Sequence, residues 1–132
     1  MKIDVDGYQL TRAADKEWEK GLRGFFSYRD LGLSQATRGA FHAHIIRADE
    51  AISRGTGKHK HDVSFHWTHV IKGWISFEFQ GVGQVRLEAG DSQWMPYGIH
   101  HELNGCSDDL EMIEMHSPGE IGDKPVEDWN KK

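Results

Sequence analysis

Histidines are the residues of this 132-residue chain whose spacing points most directly to chemistry. His59 and His61 are separated by a single residue, so on a β-strand both imidazoles point to the same face. Neutral imidazole is the commonest metal ligand in proteins and suits Zn, Fe, Ni or Cu better than Mg or Ca. The pair therefore predicts a site for one divalent transition metal, although a solvated pair on a surface strand would have the same pattern.

The same spacing occurs at His42 and His44 and provides an internal comparison. Nothing else in the neighbouring sequence supports a metal site there, and at most these two side chains are expected to line the mouth of a barrel. Two further histidines are interpreted as supporting residues. His69 would lie on the outer face of its strand, and His100 would have a supporting or surface role.

Two stretches of the chain supply further candidate ligands. In the first stretch, His59-x-His61 is followed after four intervening residues by His66 and, after six more, by Gly73. In the second stretch, five residues separate Gly90 from Pro96-x-Gly98, and two further residues separate Gly98 from His101. The two stretches resemble the two sequence motifs of the cupin superfamily, and the resemblance covers about residues 55–104. The spacing of the second motif selects His101 over His100.

The resemblance implies an all-β fold, the cupin-type double-stranded β-helix or jelly-roll barrel. The barrel would cover residues 40–116, after an N-terminal extension of residues 1–39 that packs on the barrel or on a partner subunit. A short polar arm, residues 117–132, would follow it. The resemblance also implies a homodimer and one divalent transition metal (Fe, Zn, Ni or Mn), held by His59, His61 and His101 together with His66.

Three positions depart from the cupin motifs. Ser53 replaces a glycine, and Asn104 comes one residue early. More importantly, His66 replaces the glutamate of the first motif. The neighbouring Asp62 is expected to point to the opposite face. Without a carboxylate ligand the metal keeps its full charge, which favours an anionic ligand. Alternatively, His66 does not ligate, and three histidines leave coordination positions open for water or substrate.

Alternating apolar and polar residues predict several short strands separated by glycine-rich turns. The expected strands span residues 40–48, 66–72, 74–80, 84–88, 92–95 and 110–115. Alternation places His66, Thr68 and Val70 on the inner face of one strand. A helical turn is expected near residues 15–20. The single cysteine, Cys106, is interpreted as a small loop residue because its neighbours are polar.

A barrel that holds a metal needs walls, and the strands carrying the motifs supply candidates for them. The pocket is expected to be lined by Trp94, Gln93, Phe79, Thr68 and Met112. For Met112, and for Phe77 beside Phe79, simple core packing is the favoured alternative. Tyr97 lies in a turn and could donate a hydroxyl group to a reaction.

Composition excludes several classes of protein. The net charge is −5, with acidic and basic residues interspersed, so no positive patch for nucleic acid is expected. No apolar stretch is long enough to span a membrane, and the first residues lack the apolar core of a signal peptide. A cytoplasmic location is therefore expected.

Cupins that resemble this chain include dioxygenases, isomerases, lyases and non-catalytic binding proteins, so the resemblance does not choose a function. The first hypothesis is a metal-dependent, dioxygenase-like enzyme acting on a small organic anion. A metal-dependent lyase or isomerase is the second, and it needs a base, for which Tyr97 or a non-ligating His66 is a candidate. The third is a binding or sensing module whose metal is only structural.

Overall fold

The computed structural model describes residues 7–21, 24–61, 63–120 and 123–125. Asp62 and residues 121, 122 and 126–132 of the expected C-terminal arm lie outside this range. Helical structure among the described residues is limited to a 3-10 turn at Ala13–Asp15 and a short helix, α1, at Leu33–Ala36. The strands are β1 Glu19–Lys20, β2 Phe26–Asp30, β3 His42–Ala48, β4 His59–His61, β5 Phe65–Lys72, β6 Trp74–Phe79, β7 Gly83–Glu88, β8 Ser92–Trp94, β9 His101–Cys106, β10 Glu111–Ser117 and β11 Asp123–Pro125.

The strands form two antiparallel sheets with one hydrophobic core between them. The first sheet has the strand order β1-β2-β3-β10-β5-β8, and the second has the order β11-β4-β9-β6-β7. The core contains apolar side chains from both sheets, among them Ile46 and Val70 of the first and Ile75 and Leu103 of the second. This is the expected jelly-roll barrel. No helix in the described part of the chain is long and apolar enough to cross a membrane.

Alternation predicted the strands around the site well. In β5, His66, Thr68 and Val70 are buried while the residues between them are more exposed, as expected. β6 buries Ile75, Phe77 and Phe79 and pairs with β7 over its whole length. The two strands of this hairpin are joined where Gly81 and Gly83 have positive φ angles of 78° and 97°, a conformation that glycine adopts without steric cost.

Two local expectations were wrong. Cys106 is the last residue of β9 rather than part of a loop, and it is buried in the core, where burial raises the pKa of its thiol to about 11. The helical turn expected near residues 15–20 occurs earlier, and Glu19 and Lys20 form β1. β1 and β2, which lie within the expected extension, belong to the first sheet, because β1 pairs with β2 and β2 pairs with β3. The domain boundaries at residues 40 and 116 otherwise remain predictions.

The inner face of the first sheet changes from polar to apolar along its central strands. Three cross-strand rows follow one another on β3, β10 and β5: His42, His116 and His66; His44, Glu114 and Thr68; Ile46, Met112 and Val70. In the second sheet, His59 lies opposite His101, which lies opposite Phe79. Both sheets therefore place histidines at one end of the barrel and apolar side chains towards the other.

Candidate metal centre

His59, His61 and His101 converge at the histidine-rich end of the barrel. β4 carries the first two on one face, and its pairing with β9 brings His101 beside them. One potential ligand atom from each residue lies within 4.8 Å of the others. The ring centroids are 4.7 Å apart for His59 and His61, 4.3 Å for His59 and His101, and 4.9 Å for His61 and His101. These three residues could hold a metal ion.

Backbone carbonyls fix the tautomers of two of these rings. The Nδ1–H of His59 donates to the carbonyl oxygen of Gly57 at 2.9 Å, and the Nδ1–H of His101 donates to that of Ile99 at 3.0 Å. Each ring therefore keeps its lone pair on Nε2, which is how ligating histidines are usually oriented. Burial chiefly, and then the neighbouring His59, lowers the pKa of His101 to about 3, so its ring is neutral. The donor set fits a divalent transition metal.

A carboxylate that the sequence analysis missed lies in the same cavity. Glu114 of β10 accepts a hydrogen bond from the Nε2–H of His44 at 2.7 Å and one from the Nε2–H of His66 at 2.8 Å. Burial raises the pKa of Glu114, but the two hydrogen bonds and the proximity of both rings outweigh it and hold that pKa well below its usual range. Glu114 is therefore ionised, with a donor on each of its oxygens.

The signal for Glu114 was present in the alternation of its strand. Met112 was expected to line the pocket, and a residue two positions later on a strand points to the same face. An acidic side chain on an inner face is an unusual choice, since charged groups are rarely buried unless they are paired. The sequence could not show which partners would neutralise it, because His44 and His66 come from two other strands.

His66 is directed inward, as expected, but its Nε2 is bonded to Glu114. Among the described residues, the group whose potential ligand atoms lie within 4.8 Å of one another consists of His59, His61 and His101, without His66. The ring of His66 is nevertheless only 5.1 Å from that of His61. His66 therefore lies between the predicted metal centre and the carboxylate. Its role as a fourth ligand remains a prediction.

The second His-x-His pair continues this chain of hydrogen bonds. The Nε2–H of His42 donates to Nδ1 of His44 at 2.9 Å, because the Nε2–H of His44 is already donated to Glu114. Both residues of this pair were candidates for lining the mouth of the barrel. His44 lines the cavity, whereas His42 does not. The ring of His42 lies 5.1 Å from that of the buried His116.

The cavity between the sheets has a volume of about 210 Å³. At one end its wall is formed by the three predicted ligands together with His44, His66 and Glu114. Thr68 and Met112 are among its lining residues, and Met112 also belongs to the hydrophobic core, the alternative favoured for it. The rest of the wall is mainly apolar and includes Phe25, Phe26 and Phe77.

The other three expected lining residues do not line this cavity. Trp94 is 55% exposed and packs against Phe65, because β8 is the edge strand of its sheet. Gln93 is half-buried, and Met95, the residue after Trp94, lines the cavity instead of either. Phe79 belongs to the core, where its ring packs against that of the predicted ligand His101 with the ring centroids 5.6 Å apart.

The candidate base Tyr97 and the histidines interpreted as supporting residues lie outside the cavity lining. Tyr97 is 69% exposed in its turn. His69 faces outward, where its Nδ1 lies 2.6 Å from the Ser92 hydroxyl and its ring stacks on Trp67. His100 is half-buried beside His101.

Comparison with known proteins supports the fold assignment through structure alone. Neither the family models nor the curated protein sequences yield a match. Among solved structures, KdgF from Halomonas sp. matches with a TM-score of 0.67 and 19% identity, over 83% of this chain and 94% of that protein. An RmlC-like cupin from Shewanella frigidimarina matches with a TM-score of 0.65 and 21% identity, over 84% of this chain and 91% of that one.

A third similar structure contains metal. Bacillus subtilis oxalate decarboxylase, which has Mn(II) centres, matches with a TM-score of 0.64 and 14% identity. The match covers 87% of this chain but only 31% of that enzyme. Together with the two-sheet architecture, these similarities show that the chain has the cupin fold. The histidine triad lies in the barrel where it could hold a metal.

Proposed function

We propose that this protein is a metal-dependent enzyme that transfers a proton on a small organic molecule, as lyases and isomerases do. The observation that carries the proposal is the Glu114 carboxylate, which lines the same cavity as the histidine triad. A lyase or isomerase needs a base close to its electrophilic centre. Glu114 is a better candidate than Tyr97, because it is ionised and faces the cavity.

In this proposal His59, His61 and His101 hold one divalent transition metal, for which Fe, Zn, Ni and Mn are the candidates. A metal bound there would act as a Lewis acid that polarises an oxygen of the substrate. The Mn(II) centres of the structurally similar oxalate decarboxylase support manganese among the candidates. Three neutral imidazoles leave the charge of a dication uncompensated, so we further propose that the substrate is anionic.

The protein's own residues handle the proton. Glu114 accepts it from a carbon beside the polarised group, and the two hydrogen bonds to its oxygens orient the carboxylate. The protonated Glu114 returns the same proton to another atom of the product, and His66, whose Nε2–H is donated to Glu114, holds the carboxyl group in position between the two steps. The surrounding apolar side chains exclude water, which strengthens the electrostatic interactions in the cavity.

Deuterium exchange tests this function before the substrate is known. Metal-loaded protein is incubated in D₂O with a panel of small 2-oxo acids and hydroxy ketones, and incorporation at the carbon beside the carbonyl is followed by NMR. We expect enzyme-dependent exchange for at least one compound, abolished by removal of the metal. No exchange across the panel by protein with stoichiometric metal would contradict the proposal.

A dioxygenase-like reaction on a small organic anion is the second candidate. It is favoured by the composition of the triad, since a metal held by three neutral histidines has open coordination positions for a substrate and a second molecule. Oxygen consumption by the iron-loaded protein distinguishes the two functions, because proton transfer needs no oxygen. A protein that shows neither exchange nor oxygen consumption would be a binding or sensing module.

The homodimer remains a proposal based on the resemblance to cupins, and the cytoplasmic location remains a proposal. Exposed apolar side chains near that end of the chain, Tyr8, Leu10 and Phe41, are compatible with a subunit contact. Calibrated size-exclusion chromatography tests the dimer, and a monomeric elution volume would count against it.

A further inference from the structure

One polar group in the cavity has no part in the mechanism proposed above. Thr68 lines the cavity and is only 1% exposed. Its Oγ1 has no hydrogen-bond partner among the residues that the structure describes. Buried hydroxyl groups nearly always have a partner, because leaving one unsatisfied is costly. An unsatisfied hydroxyl in the wall of a cavity is therefore explained by a ligand that completes its hydrogen bonding.

The position of Thr68 shows which part of a ligand it would meet. It lies in the row with His44 and Glu114, between the histidine-rich row that holds His66 and the apolar row that holds Met112. A ligand held by a metal at the triad, where the ring of His61 lies 5.1 Å from that of His66 of the first row, and extending towards the apolar row would pass this position. Thr68 would then contact the middle or far part of the ligand rather than the group held by the metal.

The rest of the cavity limits the size and polarity of the ligand. A volume of 210 Å³ corresponds to about seven water molecules, or to an organic molecule of about ten non-hydrogen atoms. Beyond Thr68 the wall is mainly apolar, with Phe25, Phe26, Phe77 and Leu103, and Tyr28 is the one lining residue there with a hydroxyl group among those that the structure describes. Such a wall favours an apolar or aromatic body over a sugar or a polyol, whose hydroxyl groups would lose their hydrogen bonds to water.

We infer that the site takes a small, largely apolar or aromatic carboxylic acid, and that Thr68 selects among such acids by hydrogen-bonding a second oxygen group on the ligand. This inference rests on the proposed metal centre, to which the carboxylate would bind. Thr68 is then a specificity-determining residue. It would not be required for the metal to bind or for the protein to fold.

Four simple acids serve as probes for this inference: acetate, benzoate, 3-hydroxybenzoate and 4-hydroxybenzoate. In the two hydroxybenzoates the hydroxyl group is too far from the carboxylate for both to chelate one metal ion. Isothermal titration calorimetry of the metal-loaded protein should show that benzoate binds more tightly than acetate. At least one hydroxybenzoate should bind about three- to tenfold more tightly than benzoate, the size expected of one hydrogen bond.

Two substitutions test whether the preference for a hydroxybenzoate over benzoate depends on the Thr68 hydroxyl group. Thr68→Val keeps the shape of the side chain and removes the hydroxyl group, so it should abolish the advantage of the hydroxybenzoate over benzoate. Thr68→Ser keeps the hydroxyl group and should preserve most of that advantage. If Thr68 were a structural residue, Thr68→Val would lower the melting temperature. We expect an equal or higher melting temperature instead, because an unsatisfied buried hydroxyl is removed.

The outcomes separate this inference from the proposed function. Benzoate binding that depends on the metal, with no hydroxybenzoate preference or with one that survives Thr68→Val, overturns the inference and leaves the metal centre intact. Benzoate binding that is the same with and without metal overturns both, since the proposed centre then holds no ligand.

Discussion

The chain contains two His-x-His pairs with the same spacing, and the structure uses them in different ways. His59 and His61 on β4 join His101 in a group of three potential ligand atoms. His42 and His44 on β3 are bonded to each other and to Glu114. Both pairs are on strands and both are at least partly buried, so neither spacing nor burial explains the difference.

The difference lies in what the ring nitrogens are bonded to. A neutral imidazole has one N–H donor and one lone pair. His59 donates its Nδ1–H to a backbone carbonyl, so its lone pair is on Nε2. His44 donates to Glu114 and accepts from His42, so neither of its nitrogens is left for a metal. The hydrogen-bond partner of the second nitrogen therefore decides which pair can ligate.

Removing a histidine of the first pair should have the largest effect. His59→Ala or His101→Ala deletes one of only three ligands. The loss of affinity should exceed the roughly 10- to 100-fold that removal of an outer partner typically costs. Elemental analysis of protein purified without a His tag should find stoichiometric metal in the wild type and almost none in either variant. All metal-dependent deuterium exchange should disappear with it.

His42→Ala is the matched control, because it disrupts the second pair by the same change. It should retain stoichiometric metal, and circular dichroism should show that all three variants are folded. Equal metal content in wild type, His59→Ala and His42→Ala would end the distinction between the pairs and the metal hypothesis with it.

The second largest effect should come from Glu114, the residue that gives the second pair its role. Glu114→Gln keeps the size of the side chain but removes the base. It should slow metal-dependent deuterium exchange by about 10²- to 10⁴-fold, the usual contribution of general base catalysis. Metal content should not change. Glu111→Gln, on the same strand but outside the cavity lining, is the control and should exchange at the wild-type rate. Normal exchange by Glu114→Gln would show that the second pair only stabilises the fold.

His42 of the second pair and its neighbour His116 should also make the stability of the fold depend on pH. Burial lowers the pKa of His42 and of His116 below the usual 6.5. The neighbouring His44 lowers the pKa of both further, whereas Glu114 acts in the opposite sense. For His42, Asp30 also raises the pKa. Below about pH 6.5 these two histidines bind protons more readily in the unfolded chain than in the folded one. The stability of the fold is therefore fully present above about pH 6.5 and is lost as the pH falls below that value.

Urea unfolding between pH 5.5 and 7.5, in EDTA to exclude metal, measures this dependence. Each histidine contributes at most about 1.4 kcal/mol per pH unit to the free energy of unfolding. The double variant His42→Asn/His116→Asn should have a shallower slope than the wild type. His101, with its pKa of about 3, is present in both proteins, so its contribution cancels. Parallel slopes would mean that the two rings are not held neutral by burial.

The predictable part of this site is the part set by local spacing. The two motifs place His59, His61 and His101, and alternation along β5 places His66 and Thr68 on the inner face. Partnership across strands is not local, so the hydrogen bonds of Glu114 to His44 and His66 could not be predicted, although alternation along β10 could have placed Glu114 on the inner face. Cys106 was misread for the same reason, because its polar neighbours in the sequence are not its neighbours in the core.

The smallest effect is expected at Tyr97. This residue was the candidate base from the sequence, whereas Glu114 is the candidate base from the structure. Tyr97 follows Pro96 of the second motif, but its side chain is 69% exposed and lies outside the cavity lining. Tyr97→Phe should therefore change metal content and the rate of deuterium exchange by less than about twofold, since substitutions on the surface, away from the core and the site, are usually near neutral. A loss of exchange comparable to that of Glu114→Gln would instead make the tyrosine hydroxyl the base, and the second histidine pair would then have no part in the chemistry.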